Sequence, residues 1–444
     1  MRELALIWIL AAHPAAAGEL SRVMDAALAR SPALEATRAR TRQAEAALSE
    51  SKASRLPKLS ARTSLVRGDD PVYVFGSLLQ QRSFGPQNFD IGSLNQPGYL
   101  TNVKSSLELG VPIFTAFGTK TRLDLGRLGV DEARLGTDAA GTELRARSLE
   151  TYLRVLLDQQ TLGALDERLG SAARELEEAR RLKERGVVLG SDFYAAQAIL
   201  GGLLAWRTQV QGDLEAQKAG LAVLTGREEA LSATLMDSPY KVSSASEVVR
   251  EALERRLELR QAELAGSAAK VLSRQASASI LPVVEAFAAL ETDTRDFSSN
   301  PTSRMFGLRA AFPFGDPAYP ARRAQAAAEV DAARASKQAL EDEVREQVAR
   351  SRALYGGAEA ALPGLKDTAE RAHRSLELFR PLYREGRQSV LEVLRAEEGL
   401  ARAQAAYLET MFRLHAGYGR LMAAAGALDE TAAAAIESRL GAAP

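Results

Sequence analysis

The 444-residue sequence contains no cysteine, which excludes disulfide bonds, thiolate metal sites and cysteine nucleophiles. Aromatic residues account for only 6% of the chain, and 57 basic residues balance 57 acidic ones. The absence of net charge gives no electrostatic reason to expect nucleic acid as a partner. No apolar run reaches 18 residues, which excludes a membrane-spanning helix and leaves a closed β-barrel as the only way to cross a membrane.

Proline is also missing over a long interval, between Pro112 and Pro239. Leucines recur there in steps of three and four residues, the spacing of an apolar helical stripe. Because proline disrupts helix interiors, its absence favours two long antiparallel helices. We predict them at about residues 120–184 and 192–225, joined by a turn at Gly186.

The first residues have the order of a secretory signal peptide. Arg2 is followed by an apolar run over residues 4–12 and by three alanines at 15–17. This run is too short to span a bilayer. We therefore predict a signal peptide over residues 1–17 and export from the cytoplasm; the alternative is a fortuitous apolar start to a cytosolic helix.

The remaining sequence contains a duplication. The dipeptide at residues 56–57 recurs at 281–282, an offset of 225, while Gly186 matches Gly386 at an offset of 200. Such self-similarity indicates two copies of one supersecondary unit. The predicted organisation is listed in chain order: a first repeat at residues 18–225, an inter-repeat linker at 226–245, a second repeat at 246–428 and a C-terminal tail at 429–444.

Each repeat has two segments in which apolar and polar residues alternate, the pattern of β-strands with one apolar face. The predicted strands lie at about residues 57–66, 103–113, 281–290 and 304–313, the third less clearly because Glu285 interrupts its apolar neighbours. Residues 68–102 show no period and are predicted as a long surface loop. Because four strands cannot close a membrane barrel, membrane insertion would require several copies of the chain; a soluble hairpin is the alternative.

The order and spacing of these features resemble the TolC family of outer-membrane factors. The residues that carry the resemblance are the Leu-Pro pairs before the strands, the strand-to-helix junctions and the two helical turns: 56–57, 281–282, 111–114, 312–314, 184–192 and 383–394. The resemblance implies a mainly α fold with a β-barrel part. Long coiled-coil helices would form a periplasmic α-barrel, and three chains would together form a twelve-stranded barrel in outer-membrane lipid.

The implied function is that of a passive exit duct in a tripartite efflux or type I secretion system. Its partners would be two further copies of the chain, a periplasmic adaptor protein and an inner-membrane pump of the RND or ABC type. The alternative is a periplasmic coiled-coil scaffold or adaptor that has no membrane barrel.

The resemblance also implies a constriction at the second helical turn. Glu392 and Tyr383 occupy the positions of a pore-lining acid and a bracing tyrosine, and Asp192 that of an acid on the first turn. Gln388 and Arg395 depart from the pattern, which has a bracing arginine and a second acid there. Arg395 could pair with Glu392 one helical turn away, and a simple surface ion pair is the alternative to a constriction.

The turns themselves are the predicted adaptor-docking surface. Gly186 and Gly386 suit tight turns that need a positive φ. Val187, Val188 and Arg387 are expected to be exposed beside them. A purely structural turn is the alternative.

The sequence has no recognisable catalytic, cofactor or metal site. We interpret the adjacent acids Glu177-Glu178 and Glu397-Glu398 as solvated helix faces. His373 and His415 have no acidic or histidine neighbour at ligand spacing, so we interpret them as ordinary surface or packing residues. Enzymatic activity is not expected.

Overall fold

The computed structural model describes residues 18–296, 301–313 and 315–442. The signal peptide predicted for residues 1–17 lies outside these ranges, as does Phe314 at the second strand-to-helix junction. Among the residues described, no helix combines the length and the apolar character needed to cross a membrane.

One order of elements occurs twice in the chain: two helices, two long strands and two long helices. The first series is α1 (Glu19–Arg30), α2 (Pro32–Ala53), β1 (Lys58–Gly68), α3 (Pro71–Gln80), α4 (Ile91–Asn95), β2 (Leu100–Thr115), α5 (Gly118–Glu184) and α6 (Gly190–Thr225). The second is β3 (Ala233–Thr234), α7 (Ala245–Arg255), α8 (Leu257–Ala278), β4 (Val283–Thr294), β5 (Thr302–Ala311), α9 (Tyr319–Arg384), α10 (Val390–Ala424), α11 (Glu430–Glu437) and β6 (Gly441–Ala442). The predicted long helices and four strands are therefore confirmed, with ends displaced by a few residues.

The long helix of the second series forms despite two internal prolines. Pro363 and Pro381 both lie within α9, although each removes a backbone donor from the helix. Leu362, Leu376 and Tyr383 of the same helix are each no more than 4% exposed. Burial of this apolar face stabilises α9 more than the prolines weaken it, so proline content alone would have placed a false helix end here.

The chain forms two compact units. One contains the described residues up to Arg38 together with Leu135–Gln261 and the chain from Lys337 onward; the other contains Ala39–Arg134 and Ala262–Ser336. The strand sheet belongs to the second unit, and both helical turns belong to the first.

The four long strands form one antiparallel sheet in the order β1-β2-β4-β5. Its register places Leu59 opposite Leu109 and Leu107 opposite Leu290, so that apolar side chains share one face. The opposite face carries ion pairs between Lys104 and Glu291 at 2.9 Å and between Arg309 and Glu108 at 3.5 Å. Within the residues described, β1 and β5 each lack a second partner strand.

The long surface loop predicted at residues 68–102 is mostly exposed, but it contains two short helices, α3 and α4, that its lack of a period did not predict. Asp70 and Asp90 begin these helices by accepting hydrogen bonds from the backbone N–H groups of Tyr73 and Ser93, at 2.8 and 3.1 Å. Capping by aspartate stabilises short helices that have no clear apolar period. The Asp-Pro pair at residues 70–71 was the available signal for a helix start.

The linker and the C-terminal tail pack as ordered structure in the first unit. Strand β3 of the linker pairs antiparallel with β6 near the C-terminus. Helix α11 buries Ile436 completely against a core that includes Leu20, Tyr152 and Leu414. This core holds both ends of the described chain together.

Candidate functional site at the helical turns

The first turn, between α5 and α6, closes around Gly186. This glycine has φ +75°, and the N–H of Val187 donates to the carbonyl of Leu182 at 3.0 Å. Val187 and Leu189 are 67% and 69% exposed. Val188, which we expected to be exposed as well, is half-buried and packs against the apolar core of the helices.

The second turn, between α9 and α10, has the same geometry around Gly386, with φ +72°. The N–H of Arg387 donates to the carbonyl of Leu382 at 2.8 Å. Arg387 is exposed and lies 3.5 Å from Glu385, and Gln388 is exposed beside it. The first turn is thus apolar and the second is polar.

A hydrogen bond joins the helices that leave the two turns. Ser389 begins α10 by accepting a hydrogen bond from the N–H of Leu391 at 3.1 Å, and its Oγ donates to Asp192 Oδ2 of α6 at 2.6 Å. Asp192 therefore connects one repeat to the other. Ser389 was missed in the sequence, where its only signal was its position before the first helical residue.

Glu392 and Arg395 form the predicted ion pair at 2.7 Å near the start of α10. Their side chains are 38% and 59% exposed, so the pair is accessible to solvent. Tyr383, the predicted bracing residue, is only 4% exposed. Its hydroxyl has no hydrogen-bond partner within the described residues.

The environment of Tyr383 disfavours its ionised form. Burial raises the pKa of its hydroxyl to about 12, and the carboxylates of Glu178 and Glu175 act in the same direction. Tyr383 is therefore neutral at physiological pH and can act as a hydrogen-bond donor.

The most deeply buried charge near the turns is Glu397, one and a half helical turns beyond Glu392. We expected a solvated residue, but the Glu397 side chain is 0% exposed. Arg380 of α9 donates to its Oε1 at 2.6 Å, and Arg168 of α5 lies 3.5 Å from its Oε2. The solvated interpretation of Glu397 is wrong because three helices converge on it and exclude water.

Arg380 links this carboxylate to α5 through two further contacts. Its guanidinium donates to Ser171 Oγ, and its Nε lies 3.7 Å from a carboxylate oxygen of Glu175. Burial raises the pKa of Glu175, and the charge of Arg380 opposes that shift. We call Arg168, Ser171, Glu175, Arg380 and Glu397 the buried charge cluster.

Comparison with known proteins identifies the family of the chain. The sequence profile of the outer membrane efflux protein family matches residues 23–227 and 248–427. This chain belongs to that family. Among curated protein sequences there is no significant match.

Three solved structures illustrate the likeness in fold. The Campylobacter jejuni CmeC outer membrane channel is 17% identical, with 95% of this chain and 89% of that chain covered and a TM-score of 0.77. The open state of the Neisseria gonorrhoeae MtrE outer membrane channel is 17% identical over 93% and 90%, with a TM-score of 0.76. A Pseudomonas aeruginosa membrane protein is 19% identical over 92% and 90%, with a TM-score of 0.79.

The chain is therefore an outer-membrane efflux protein. The matched ranges include both turns and the buried charge cluster. The structure brings Asp192, Ser389 and the second turn together. Within the described chain it gives Tyr383 no hydrogen-bonded partner.

The two described histidines have different surroundings. His373 lies 3.7 Å from Glu377, one turn along α9, so the statement that it has no acidic neighbour is wrong. His415 is fully buried, and its ring nitrogens contact the hydroxyl of Tyr240 at 2.5 Å and the carbonyl of Met236 at 2.9 Å. Burial lowers the pKa of His415. These contacts make His415 a packing residue of the core.

Proposed function

We propose that three copies of this chain form a passive exit duct that crosses the outer membrane and extends into the periplasm. Membership of the outer membrane efflux protein family supports this function. The single structural observation that carries it is a four-stranded amphipathic sheet with two open edges. A periplasmic scaffold without a membrane barrel is not favoured, because the family match includes all four strands.

The open edges supply the reason for assembly. An unpaired edge strand presents backbone donors and acceptors that have no partner in lipid. Pairing β5 of one copy with β1 of the next satisfies both edges and repeats around a closed ring. The number of three copies, which gives twelve strands, follows from the resemblance to the TolC family.

The two faces of the sheet support an outward lipid contact. The most exposed apolar side chains lie on a single face: Leu59, Leu65, Phe306 and Leu308. The other face carries the Lys104–Glu291 and Arg309–Glu108 ion pairs and would surround the water-filled duct.

Two positions on β5, three residues apart and on opposite faces of the sheet, test this orientation. Leu308→Arg would place a charge in lipid and should strongly reduce assembly in the outer membrane. Met305→Arg, on the duct-facing side, is the matched control and should assemble normally. Assembly is measured as the detergent-solubilised complex of three chains, by native mass spectrometry. Equal assembly of the two variants, or a species of one chain in the unmodified protein, would contradict the proposal.

We further propose that the two turns dock a periplasmic adaptor, which connects the duct to an inner-membrane pump. The exposed Val187 and Arg387 would contact the adaptor. Gly186 and Gly386 would shape the turns, and Val188 would support the first turn from the core side.

Site-specific cross-linking tests this docking. Because the chain has no cysteine, Val187→Cys and Arg387→Cys each introduce a single thiol. We expect cross-links to an adaptor from these two positions and none from Arg402→Cys, a similarly exposed arginine position on α10. The same yield from all three positions, at equal abundance, would rule out docking by the turns.

The constriction is proposed at the second turn, with Glu392 and Arg395 facing the pore and Asp192, Gln388 and Tyr383 around them. Gln388 lacks the charge of a bracing arginine. We therefore propose that Arg380 of the buried charge cluster takes over this bracing by holding α10 against α5 through Glu397. In keeping with a transport family, we assign the chain no enzymatic activity.

A further inference from the structure

The start of α1 is held by a carboxylate from the other end of the chain. Gly18, the residue before the helix, has no side chain to cap it. Instead, Glu437 of α11 accepts hydrogen bonds from the backbone N–H of Leu20 and from Ser21 Oγ, both at 3.0 Å. Both oxygens of the Glu437 carboxylate are therefore directed at the first turn of α1.

This carboxylate also lies directly against Gly18. A Cβ atom at position 18 would overlap the Glu437 carboxyl group. Any residue larger than glycine would therefore displace Glu437 from its two hydrogen bonds. The backbone nitrogen of Gly18 is one covalent bond away from the Cα beside which this carboxylate lies.

The surroundings are rich in negative charge. The Glu19 carboxylate accepts hydrogen bonds from Ser232 N and Oγ at 3.0 and 2.9 Å and from the Tyr152 hydroxyl at 2.9 Å. Burial raises the pKa of the Tyr152 hydroxyl, and Glu19 and Glu437 raise it further, whereas Arg22 opposes them. Two acids and one base therefore act on the Tyr152 hydroxyl, so negative charge predominates beside the start of α1.

We propose that cleavage of the bond between Ala17 and Gly18 creates this cation, an α-ammonium group on Gly18 that pairs with Glu437. Hydrolysis by a signal peptidase consumes one water molecule, leaving a carboxylate on Ala17 and a protonated amine on Gly18. The alanines at 15–17 are the small residues such a cleavage requires. In the uncleaved chain the same nitrogen is a neutral amide, so the ion pair forms only after processing.

The pair would couple maturation to the packing of the core. Leu20 and Val23, just inside α1, are 0% and 1% exposed. A cation fixed on Glu437 holds the start of this helix against α11. This inference goes beyond the transport function and depends on export and cleavage alone.

The test uses the full chain purified from the outer membrane in detergent. Mass spectrometry of the terminal peptide should give Gly18 as the first residue. The pH dependence of α-amine acylation should give an amine pKa about one unit above the ~7.7–8.0 of a free α-amino group. Glu437→Gln should return this pKa to the ordinary range, whereas Glu430→Gln, an exposed acid of the same helix, should leave it raised.

A second variant keeps the test valid if Glu437→Gln does not fold. One glycine inserted after Ala17 leaves Glu437 in place but moves the amine by one residue, so its pKa should also become ordinary. A mature terminus other than Gly18, or an amine pKa unchanged by both alterations, would overturn the proposal. Neither readout involves transport, so the outcome is independent of the duct function.

Discussion

Helix α10 carries two ion-paired glutamates five residues apart, and their surroundings differ completely. Glu392 pairs with Arg395 on the same helix, and the two side chains are 38% and 59% exposed. Glu397 is 0% exposed and is held by two arginines from other helices. The Glu392–Arg395 pair lies within one helix and is accessible to solvent, whereas the contacts of Glu397 connect three helices.

The difference in exposure determines how much each pair contributes to stability. An exposed pair contributes about 0–1 kcal/mol, because water solvates the separated charges nearly as well. A complete buried pair gains little over an apolar contact of similar volume, but loss of one partner leaves a buried charge without solvent or counter-ion. Glu397 is therefore the structural residue of the two, and Glu392 is available to act on ions in solution.

The largest expected effect is that of Arg380→Leu. It should lower the free energy of unfolding by about 3–5 kcal/mol, because Glu397 would keep its burial and lose its shortest contact. Circular dichroism of the detergent-solubilised protein during denaturation measures the change, at one protein concentration because the proposed assembly is oligomeric.

The control for that variant is Arg402→Leu, which breaks a more exposed pair with Glu398 within α10. It should cost about 1 kcal/mol or less. Adding Glu397→Leu to Arg380→Leu should recover part of the loss. Similar losses for the two single variants would remove the distinction between the buried and exposed pairs.

The second-largest effect concerns Asp158, a buried acid that, unlike Glu397, is not paired with an arginine in the described structure. Asp158 is 9% exposed, and its Oδ2 has no hydrogen-bond partner in the described structure. Burial raises its pKa to about 6, with Arg154 opposing and Asp213 and Glu409 adding to the shift. The folded state therefore binds more protons than the unfolded state between about pH 4 and 6, and the Asp158 charge destabilises the fold above that window.

Asp158→Asn should accordingly increase the free energy of unfolding by about 1–3 kcal/mol at pH 8. At pH 4.5 the wild-type side chain is largely protonated in the folded state, so the difference should become small. Denaturation at the two pH values measures it, with Asp166→Asn as an exposed control on α5. A gain that is the same at both pH values would show that charge is not the cause.

The third effect tests the turn on which both glutamates depend for their placement. Gly386→Ala should cost about 1 kcal/mol, because alanine is strained at φ +72°. Gly399→Ala, within α10 and with open space around it, should be neutral or slightly stabilising. Thermal unfolding compares the two; equal shifts would mean that the turn does not require glycine.

The smallest effect on stability, and the most informative for transport, is that of Glu392→Gln. Its unfolding free energy should change by about 1 kcal/mol or less, while single-channel conductance or cation block should change. Glu398→Gln, another paired acid of α10, is the matched control and should leave conductance unaltered. Unchanged conductance of Glu392→Gln would place this residue outside the pore.

Sequence patterns predicted the fold well and the site unevenly. The positive φ at Gly186 and Gly386 and the Glu392–Arg395 pair were predictable because each depends on residues a few positions apart. The Ser389–Asp192 bond and the buried charge cluster were not, because their members come from different helices. Because contacts between different helices are not visible in the local sequence, Val188 and Glu397 were both expected to be exposed to solvent.

The sequence by itself determined the long helices, the four amphipathic strands and the double order of elements, because period, capping and turn residues are local properties. Only the tertiary structure decided which of two similar glutamates lies in solvent and which lies beneath two arginines. The tertiary structure also places the Glu437 carboxylate, from near the C-terminus, against Gly18. Burial depends on what other helices place around a residue, and that information is absent from its neighbours in the sequence.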